Sequence, residues 1–135
     1  MTAIVAAIAL SLAAGPPAPV LHSHGDRLVA ARGSSCWSEP TGEGGTIGMC
    51  ADTTAPVTKR ALRVLRHGRI RVEMGTAVNT LTASLRGRSG GLRVTRRSSR
   101  RFIVRLPRQM KARSVLDLGA SYPQGDAAFG ARLRR

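Results

Sequence analysis

Polar and apolar side chains alternate in Arg69-Ile70-Arg71-Val72-Glu73-Met74, near the middle of this 135-residue sequence. Successive side chains of a β-strand point to opposite faces, so this period of two predicts a strand with one buried and one solvated face. Further runs of strand-forming residues lie at 92–95, 102–106, 115–122 and 127–133. Several strands at intervals of about 8 to 12 residues are typical of a sandwich. We therefore predict an all-β fold, a single immunoglobulin-like antiparallel β-sandwich over residues 26–135.

The segment just before Arg69 allows two interpretations. Residues 61–65 form one more apolar run, and His67-Gly68 is a suitable turn before the next strand. Residues 56–66, with the sequence PVTKRALRVLR, can also form a short amphipathic helix with Val57, Leu62 and Leu65 on one side. The β-branched residues and the Gly68 that follows leave the choice between the two open. We favour the strand, and the helix is the alternative.

Length and composition limit the class of protein. A chain of 135 residues corresponds to one domain, and 42% hydrophobic residues are enough to build a core. This composition is far from that of disordered chains, which have few hydrophobic residues. Beyond the N-terminus there is no run of 18 apolar residues, which excludes a protein with several membrane-spanning helices.

The N-terminal 15 residues have the character of an export signal. MTAIVAAIALSLAA at positions 1–14 is apolar and uncharged, and small residues allow cleavage after Ala13 or Gly15. No Lys or Arg precedes the apolar run, which differs from the usual signal pattern, and a first strand or helix of a cytosolic protein is the alternative. We predict a signal peptide at 1–15 and a flexible, Pro-rich linker at 16–25, and therefore an extracellular or cell-envelope location.

Cys36 and Cys50 are the only cysteines, and the 13 residues between them include four glycines. In an exported protein such a pair favours one disulfide that closes a flexible loop. No CxxC or HExxH spacing connects the cysteines with a histidine, and His22-Ser23-His24 with Asp26 would bind a transition metal only weakly. We predict the Cys36–Cys50 disulfide, no metal site and no cofactor.

Two short blocks surround the cysteines: Gly33-Ser34-Ser35-Cys36-Trp37-Ser38 and Gly48-Met49-Cys50-Ala51-Asp52. Here the sequence resembles a group of small bacterial secreted proteins and lipoproteins that carry a Gly-Ser-Tyr-Cys-Trp block, a short loop and Cys-x-Asp. Ser35 stands where that group usually has tyrosine. Gly125-Asp126-Ala127-Ala128-Phe129 is similar to the entry of that group's final strand. The resemblance covers residues 20–135 and implies an exported, disulfide-bonded β domain without assigned chemistry.

Two residues beside the cysteines have structural interpretations. An indole next to a disulfide fills a small β core well, so we expect Trp37 to pack over the disulfide in the core, with carbohydrate stacking as the alternative. Asp52 follows Cys50 closely, and we expect its carboxylate to accept backbone N–H groups of the loop.

Charge is distributed unevenly along the chain, whose formal net charge is +15. Residues 1–58 hold two basic and four acidic residues, a net of −2, whereas residues 59–135 hold 20 basic and three acidic residues, a net of +17. The densest basic cluster, which we predict as a polyanion-binding site, consists of Arg93, Arg96, Arg97, Arg100 and Arg101. A surface of this kind binds polyanions in a salt-dependent way. Because 20 of the 22 basic residues are arginine, a solvated face produced by a GC-rich genome is the alternative.

No catalytic motif accompanies this charge. The sequence lacks GxSxG, P-loop and HExxH patterns and any paired-carboxylate spacing. We therefore expect a non-enzymatic, exported, envelope-associated or binding protein, whose partners are anionic cell-envelope polymers or lipid headgroups. The alternative is a cytosolic protein that binds nucleic acid through its basic C-terminal region. Specific nucleic-acid recognition is not expected, because Phe102 is the one aromatic residue near the cluster.

Overall fold

The computed structural model describes residues 16–53 and 55–135, and in these residues the chain forms β-strands that pack as two layers. The predicted signal peptide at 1–15 lies outside the described residues. The strands are β1 Val20–Ser23, β2 Asp26–Val29, β3 Ala31–Pro40, β4 Thr46–Ala51, β5 Ala61–Arg63, β6 Arg69–Glu73, β7 Thr80–Leu85, β8 Arg93–Arg96, β9 Arg101–Arg105, β10 Arg113–Tyr122 and β11 Gly125–Arg134.

The strands form two sheets that face each other. The five-stranded sheet has the order β2-β1-β6-β9-β8, and the six-stranded sheet has the order β4-β3-β11-β10-β7, with β5 pairing to β11. All these pairs are antiparallel except β5 with β11, which is parallel. The prediction of an antiparallel β-sandwich with one disulfide is therefore confirmed. The disulfide joins β3 and β4 of the same sheet, whereas the disulfide of antibody domains joins the two sheets.

The core lies between the sheets and follows the alternation seen in the sequence. In β6 the side chains of Ile70 and Val72 are buried, and those of Arg69, Arg71 and Glu73 are exposed. The largest buried side chains come from both sheets and include Leu21, Ile70, Leu62, Leu116, Phe129 and Leu133. Burial of each such side chain contributes about 1.5 to 3 kcal/mol, and this supplies most of the driving force for folding.

The sandwich begins earlier than the sequence predicted. Range 16–25, for which we expected a flexible linker, contains β1, which pairs with both β2 and β6. The Leu21 side chain is fully buried, which supplies the energy that holds this segment in the sheet. His24 and Gly25 have positive φ values of 46° and 75° and connect β1 to β2 as a two-residue hairpin turn.

The segment between β4 and β6 contains one short strand and no helix among its described residues. β5 covers only Ala61–Arg63, so the preference for a strand over a helix is confirmed at these residues, and the remainder is irregular. Thr58 is buried, and its hydroxyl donates to the Arg60 carbonyl (2.6 Å) and accepts from the Arg132 N–H (3.0 Å). These bonds hold the irregular segment against β11.

Arg86 attaches the same segment to the six-stranded sheet. Its Nη2 donates to Asp117 Oδ1 (2.6 Å) and to the Pro56 carbonyl (3.0 Å), and its Nε donates to Asp117 Oδ2 (3.2 Å). The hydrogen bond to Asp117 raises the pKa of Arg86 above its ordinary value, although burial opposes this shift. Arg86 is therefore charged and fully engaged in holding the fold.

Candidate polyanion-binding surface

The five arginines predicted as a polyanion site lie in three different environments. Arg93 and Arg101 belong to β8 and β9, where their side chains are exposed. Arg97 lies in the connection between these strands and is also exposed. The remaining two, Arg96 and Arg100, donate hydrogen bonds to backbone carbonyls. The structure thus does not gather the five guanidinium groups into one site.

Arg96 and Arg100 fasten the β8–β9 connection to its neighbours. Arg96 Nη1 donates to the Asn79 carbonyl (2.8 Å), and its Cζ lies 5.8 Å from the centre of the Phe102 ring. Arg100 Nε donates to the Met74 carbonyl (3.3 Å). A guanidinium that already binds a carbonyl and stacks on an aromatic ring is less available to a ligand.

A different group of arginines forms a continuous surface. In the pairing register, Arg69 of β6 lies opposite Arg105 of β9, and Arg105 lies opposite Arg93 of β8. Three arginines therefore stand side by side across three neighbouring strands, on the solvent side of the five-stranded sheet. Together with Arg71 and Arg101 we call this surface the outer basic face.

Like charges directly opposite each other on neighbouring strands destabilise a sheet. The cost is smallest where the side chains reach water, and four of the five side chains are exposed while Arg105 is half-buried. Strands in one sheet are about 4.8 Å apart, so the three guanidinium groups of the row can contact the same linear or planar anion. A bound anion would remove the repulsion that the row otherwise carries.

The outer basic face has little acidic compensation. Glu73 lies opposite Arg101 in the register, and its Oε2 is 3.3 Å from His22 Nε2. Arginine–carboxylate ion pairs in the described part of the chain are Arg60–Asp26 and Arg86–Asp117. None of the five arginines of the outer basic face is therefore in such a pair among the described residues.

Sequence reasoning identified part of this surface. Alternation in β6 already predicts that Arg69 and Arg71 face solvent, and the basic cluster included Arg93 and Arg101. The role of Arg105 could not be found in this way, because 36 positions separate it from Arg69 and only the strand register places them together. The sequence contains one indication that Arg105 faces solvent: an arginine stands at each end of the Phe102–Val104 apolar run.

The region around the disulfide is an edge of the molecule. Cys36 and Cys50 are directly paired across β3 and β4, and every residue of β4 is exposed. Adjacent residues of a strand point to opposite faces, so Trp37 lies on the other face of β3 from Cys36. The Trp37 ring packs edge-on against Tyr122, with 5.1 Å between ring centres. Trp37 therefore contributes to the core as predicted, but through Tyr122 rather than by covering the disulfide.

Asp52 fixes the end of the same hairpin through a side chain. Its Oδ1 accepts a hydrogen bond from the Ser34 hydroxyl (3.3 Å), and that hydroxyl also contacts the Thr53 carbonyl and N–H. The sequence prediction gave Asp52 backbone N–H partners, whereas the bond described here comes from Ser34. This geometry makes Asp52 a structural residue of the loop.

Two other kinds of feature are absent from residues 16–53 and 55–135. In that range no three His, Cys, Asp or Glu side chains come together as ligands for a metal ion. No helix in the same range has the length and apolar character needed to cross a membrane. No family model, curated protein or solved structure matches this chain. The outer basic face is therefore the main structural indication of function.

Proposed function

We propose that this protein is an exported, non-enzymatic binding protein whose outer basic face holds phosphate-rich polymers or lipid headgroups of the cell envelope. The observation that carries the proposal is the row Arg69–Arg105–Arg93, in which like charges are placed side by side without carboxylate partners among the described residues. Repulsion within such a row destabilises the free protein. Binding of an anion to the row therefore stabilises the folded protein.

The chemistry of the face fits phosphate groups. Guanidinium groups bind phosphate oxygens in a bidentate way. Neighbouring strands are about 5 Å apart and alternate residues along a strand are about 7 Å apart, so the face presents several guanidinium groups to one ligand at once. The face has no aromatic platform for stacking bases: the half-buried Ile103 lies between Arg101 and Arg105. Binding is therefore expected to be weak, salt-dependent and without sequence selectivity.

Export is supported by the disulfide and by the N-terminal sequence. Disulfides persist in oxidising compartments and are rare in the cytosol, and Cys36–Cys50 lies on an exposed edge where a cytosolic reductant would reach it. The apolar segment at 1–15 has the composition of a signal peptide. Outside the cytoplasm the available polyanions are envelope polymers, lipid headgroups and extracellular nucleic acid, and the lack of a base-stacking platform on the outer basic face favours the first two.

The proposal is tested by measuring the salt dependence of binding. The disulfide-bonded protein is titrated against long-chain polyphosphate, vesicles with and without phosphatidylglycerol, and duplex DNA. We expect binding to polyphosphate and to the anionic vesicles that weakens as salt rises. The variant Arg69→Gln/Arg93→Gln/Arg105→Gln should lower the slope of log K against log salt by about 2 units.

A matched control separates the face from net charge. The variant Arg63→Gln/Arg132→Gln/Arg134→Gln removes three charges from exposed positions of β5 and β11. We expect it to retain most of the binding and of the salt slope. Equal losses in both variants would contradict the assignment of the face, because binding would then depend on net charge alone. Selective, tighter binding to DNA would favour the nucleic-acid alternative.

The compartment is tested by intact mass on protein expressed from its full-length gene and recovered separately from cells and medium. Export predicts a processed chain outside the cytoplasm that is lighter by two hydrogens than its reduced form. An unprocessed cytosolic chain with free thiols at Cys36 and Cys50 would overturn the export proposal and favour a cytosolic nucleic-acid-binding protein.

A further inference from the structure

A second basic feature lies at one end of the sandwich, away from the disulfide. It is a cavity of about 880 Å³ bounded by the end of β7, the start of β10 and the connections 87–92 and 106–112. We call it the basic cavity. Seven of its 14 lining residues are Arg or Lys, and none of these described lining residues is acidic. Arg86 is held by Asp117, and the other six are Arg66, Arg88, Arg108, Lys111, Arg113 and Arg135.

The apolar part of the lining of the basic cavity, which we call its floor, consists of Leu85, Met110 and Val115. Leu85 is 5% exposed, Met110 and Val115 are half-buried, and Met110 packs against the core. The volume falls in the range of about 300 to 1,000 Å³ that is typical of small-molecule sites. A cavity lined by both cationic and apolar side chains is suited to a ligand that has an anionic end and an apolar end.

The walls of the cavity are held in place by hydrogen bonds. Arg88 Nη1 donates to the Gln109 carbonyl (2.6 Å), which joins the two connections that bound the cavity. The backbone N–H of Arg86 donates to the Val115 carbonyl (2.9 Å), and the Ser114 hydroxyl donates to the Lys111 carbonyl (3.3 Å). A site whose walls are already joined loses less conformational entropy when a ligand binds.

We infer that the basic cavity binds a phosphate monoester that carries an apolar chain. The phosphate would lie among the cationic side chains that line the cavity, which include Arg108 and Lys111 of the 106–112 connection. The first carbons of the chain would contact Met110, a half-buried lining residue, and remove part of its exposed surface from water. This inference does not depend on polymer binding by the outer basic face.

The cavity is nevertheless continuous with that face. A smaller depression of about 350 Å³ is lined by Arg93 and Arg105 of the outer basic face and by Arg88 and Arg108 of the cavity. A phosphorylated amphiphile that first contacts the outer basic face can therefore reach the cavity along a continuous basic surface.

Isothermal titration with small probes tests the cavity separately from polymer binding. The disulfide-bonded protein is titrated with octyl phosphate below its micellar concentration, with inorganic phosphate, with glycerol phosphate and with neutral octyl glucoside. We expect octyl phosphate to bind at least about tenfold more tightly than inorganic phosphate, because burial of two or more methylene groups supplies that factor. Equal affinities of octyl phosphate and octyl glucoside, or of octyl phosphate and inorganic phosphate, would overturn the inference. Glycerol phosphate as tight as octyl phosphate would also overturn it, since an apolar chain would then be unnecessary.

Two variants locate the binding. Arg108→Gln/Lys111→Gln should weaken octyl phosphate at least about tenfold, since charge-assisted bonds to the phosphate are lost. Arg27→Gln/Lys59→Gln removes the same charge from exposed positions in β2 and in the segment before β5, and should change the affinity by less than about twofold. Equal weakening by both variants would overturn the assignment to the cavity.

Met110→Gln tests the apolar floor. It should weaken octyl phosphate while leaving inorganic phosphate unchanged, and an unchanged affinity for octyl phosphate would contradict a role for the floor. Amide chemical shifts provide a readout that does not depend on these variants: octyl phosphate should shift residues 86–89 and 108–115. Shifts confined to β6 and β9 would instead assign the ligand to the outer basic face and overturn the inference.

Discussion

The Asp26 carboxylate accepts a hydrogen bond from the backbone N–H of Arg63 at 3.0 Å, and this bond joins β2 of one sheet to β5 of the other. The same carboxylate accepts from the Arg27 N–H (2.8 Å) and from Arg60 Nη1 (3.0 Å), while Arg60 Nη2 donates to the Arg27 carbonyl. Hydrogen bonds from the N–H groups of Arg63 and Arg27 are the main reason that the pKa of Asp26 is lowered to about 2.

Acid should therefore weaken the sandwich through Asp26. A carboxyl group whose pKa is lower in the folded protein contributes stability above its ordinary pKa and loses it as the pH falls toward the folded value. We expect the free energy of unfolding in urea to fall between about pH 5 and about pH 2. Asp26→Asn should be less stable than the natural protein at pH 7, and the difference should shrink toward pH 2. Asp126→Asn is the control for loss of one acidic charge, and an equal effect from it would contradict the role of Asp26.

Tyr122 should make the folded protein less stable as the pH rises into the alkaline range. Its hydroxyl is buried and has no hydrogen-bond partner within residues 16–53 and 55–135, and burial raises its pKa to about 12. Because the pKa is higher in the folded protein, stability is fully present below about pH 10 and is lost as the pH rises through about 12.

Tyr122→Phe should therefore lessen this loss of stability at high pH. At pH 7 the variant should be as stable as the natural protein or more stable by up to about 1 kcal/mol, because no hydrogen bond is lost and the ring still packs on Trp37. Urea unfolding at pH 7 and at a series of values up to pH 12 provides the measurement. A loss of more than about 1 kcal/mol at pH 7 would show that the hydroxyl has a partner.

Removal of the Arg86 side chain should destabilise the six-stranded sheet. Arg86→Leu breaks the ion pair with Asp117 and the bond to the Pro56 carbonyl, and should cost about 1 to 2 kcal/mol because the pair is about one-third exposed. In Arg86→Leu/Asp117→Leu the cost should be smaller than the sum of the two single variants. Additive losses, measured by urea unfolding, would show that the two side chains do not stabilise each other.

Loss of the disulfide should act mainly on the β3–β4 hairpin. The loop between Cys36 and Cys50 is short, so its closure contributes at most about 3 kcal/mol, and the exposed strand β4 can detach without opening the core. Hydrogen exchange of Cys36→Ala/Cys50→Ala should accelerate at residues 46–51 and change little in β10. Loss of protection throughout β10 would contradict a local role.

The edge formed by β4 should promote self-association. Its sequence, Thr-Ile-Gly-Met-Cys-Ala, has no charged residue or proline, and Ile47 and Met49 are 59% and 52% exposed. Uncharged, exposed edge strands pair with other chains. Met49→Lys should therefore lower concentration-dependent association in sedimentation experiments. Val29→Lys changes an equally exposed apolar residue in β2 and is the control; the same decrease in both variants would count against β4 as the contact.

The sequence was most informative about features that depend on a single strand, such as which side chains are buried. The alternation around Ile70 and Val72 is set by the two faces of a single strand, so it could be predicted without knowing any neighbour. The link between Arg69 and Arg105, and the basic cavity, depend on strand register and on connections far apart in the chain. β1 was missed because prolines suggest a linker, whereas burial of Leu21 and a turn at His24-Gly25 determine that segment.

The separation of charge along the sandwich makes the molecule an electric dipole. β10 is about 30 Å long, with the six cationic side chains of the basic cavity near Arg113, and with Tyr122 at the hairpin end. Residues 41–53 of the hairpin contain Glu43 and Asp52 and no basic residue. Within about 10 Å of a negatively charged layer, the field would rotate the molecule so that the cavity end arrives first. The disulfide-bonded hairpin then faces away from the layer, toward whatever approaches from solution.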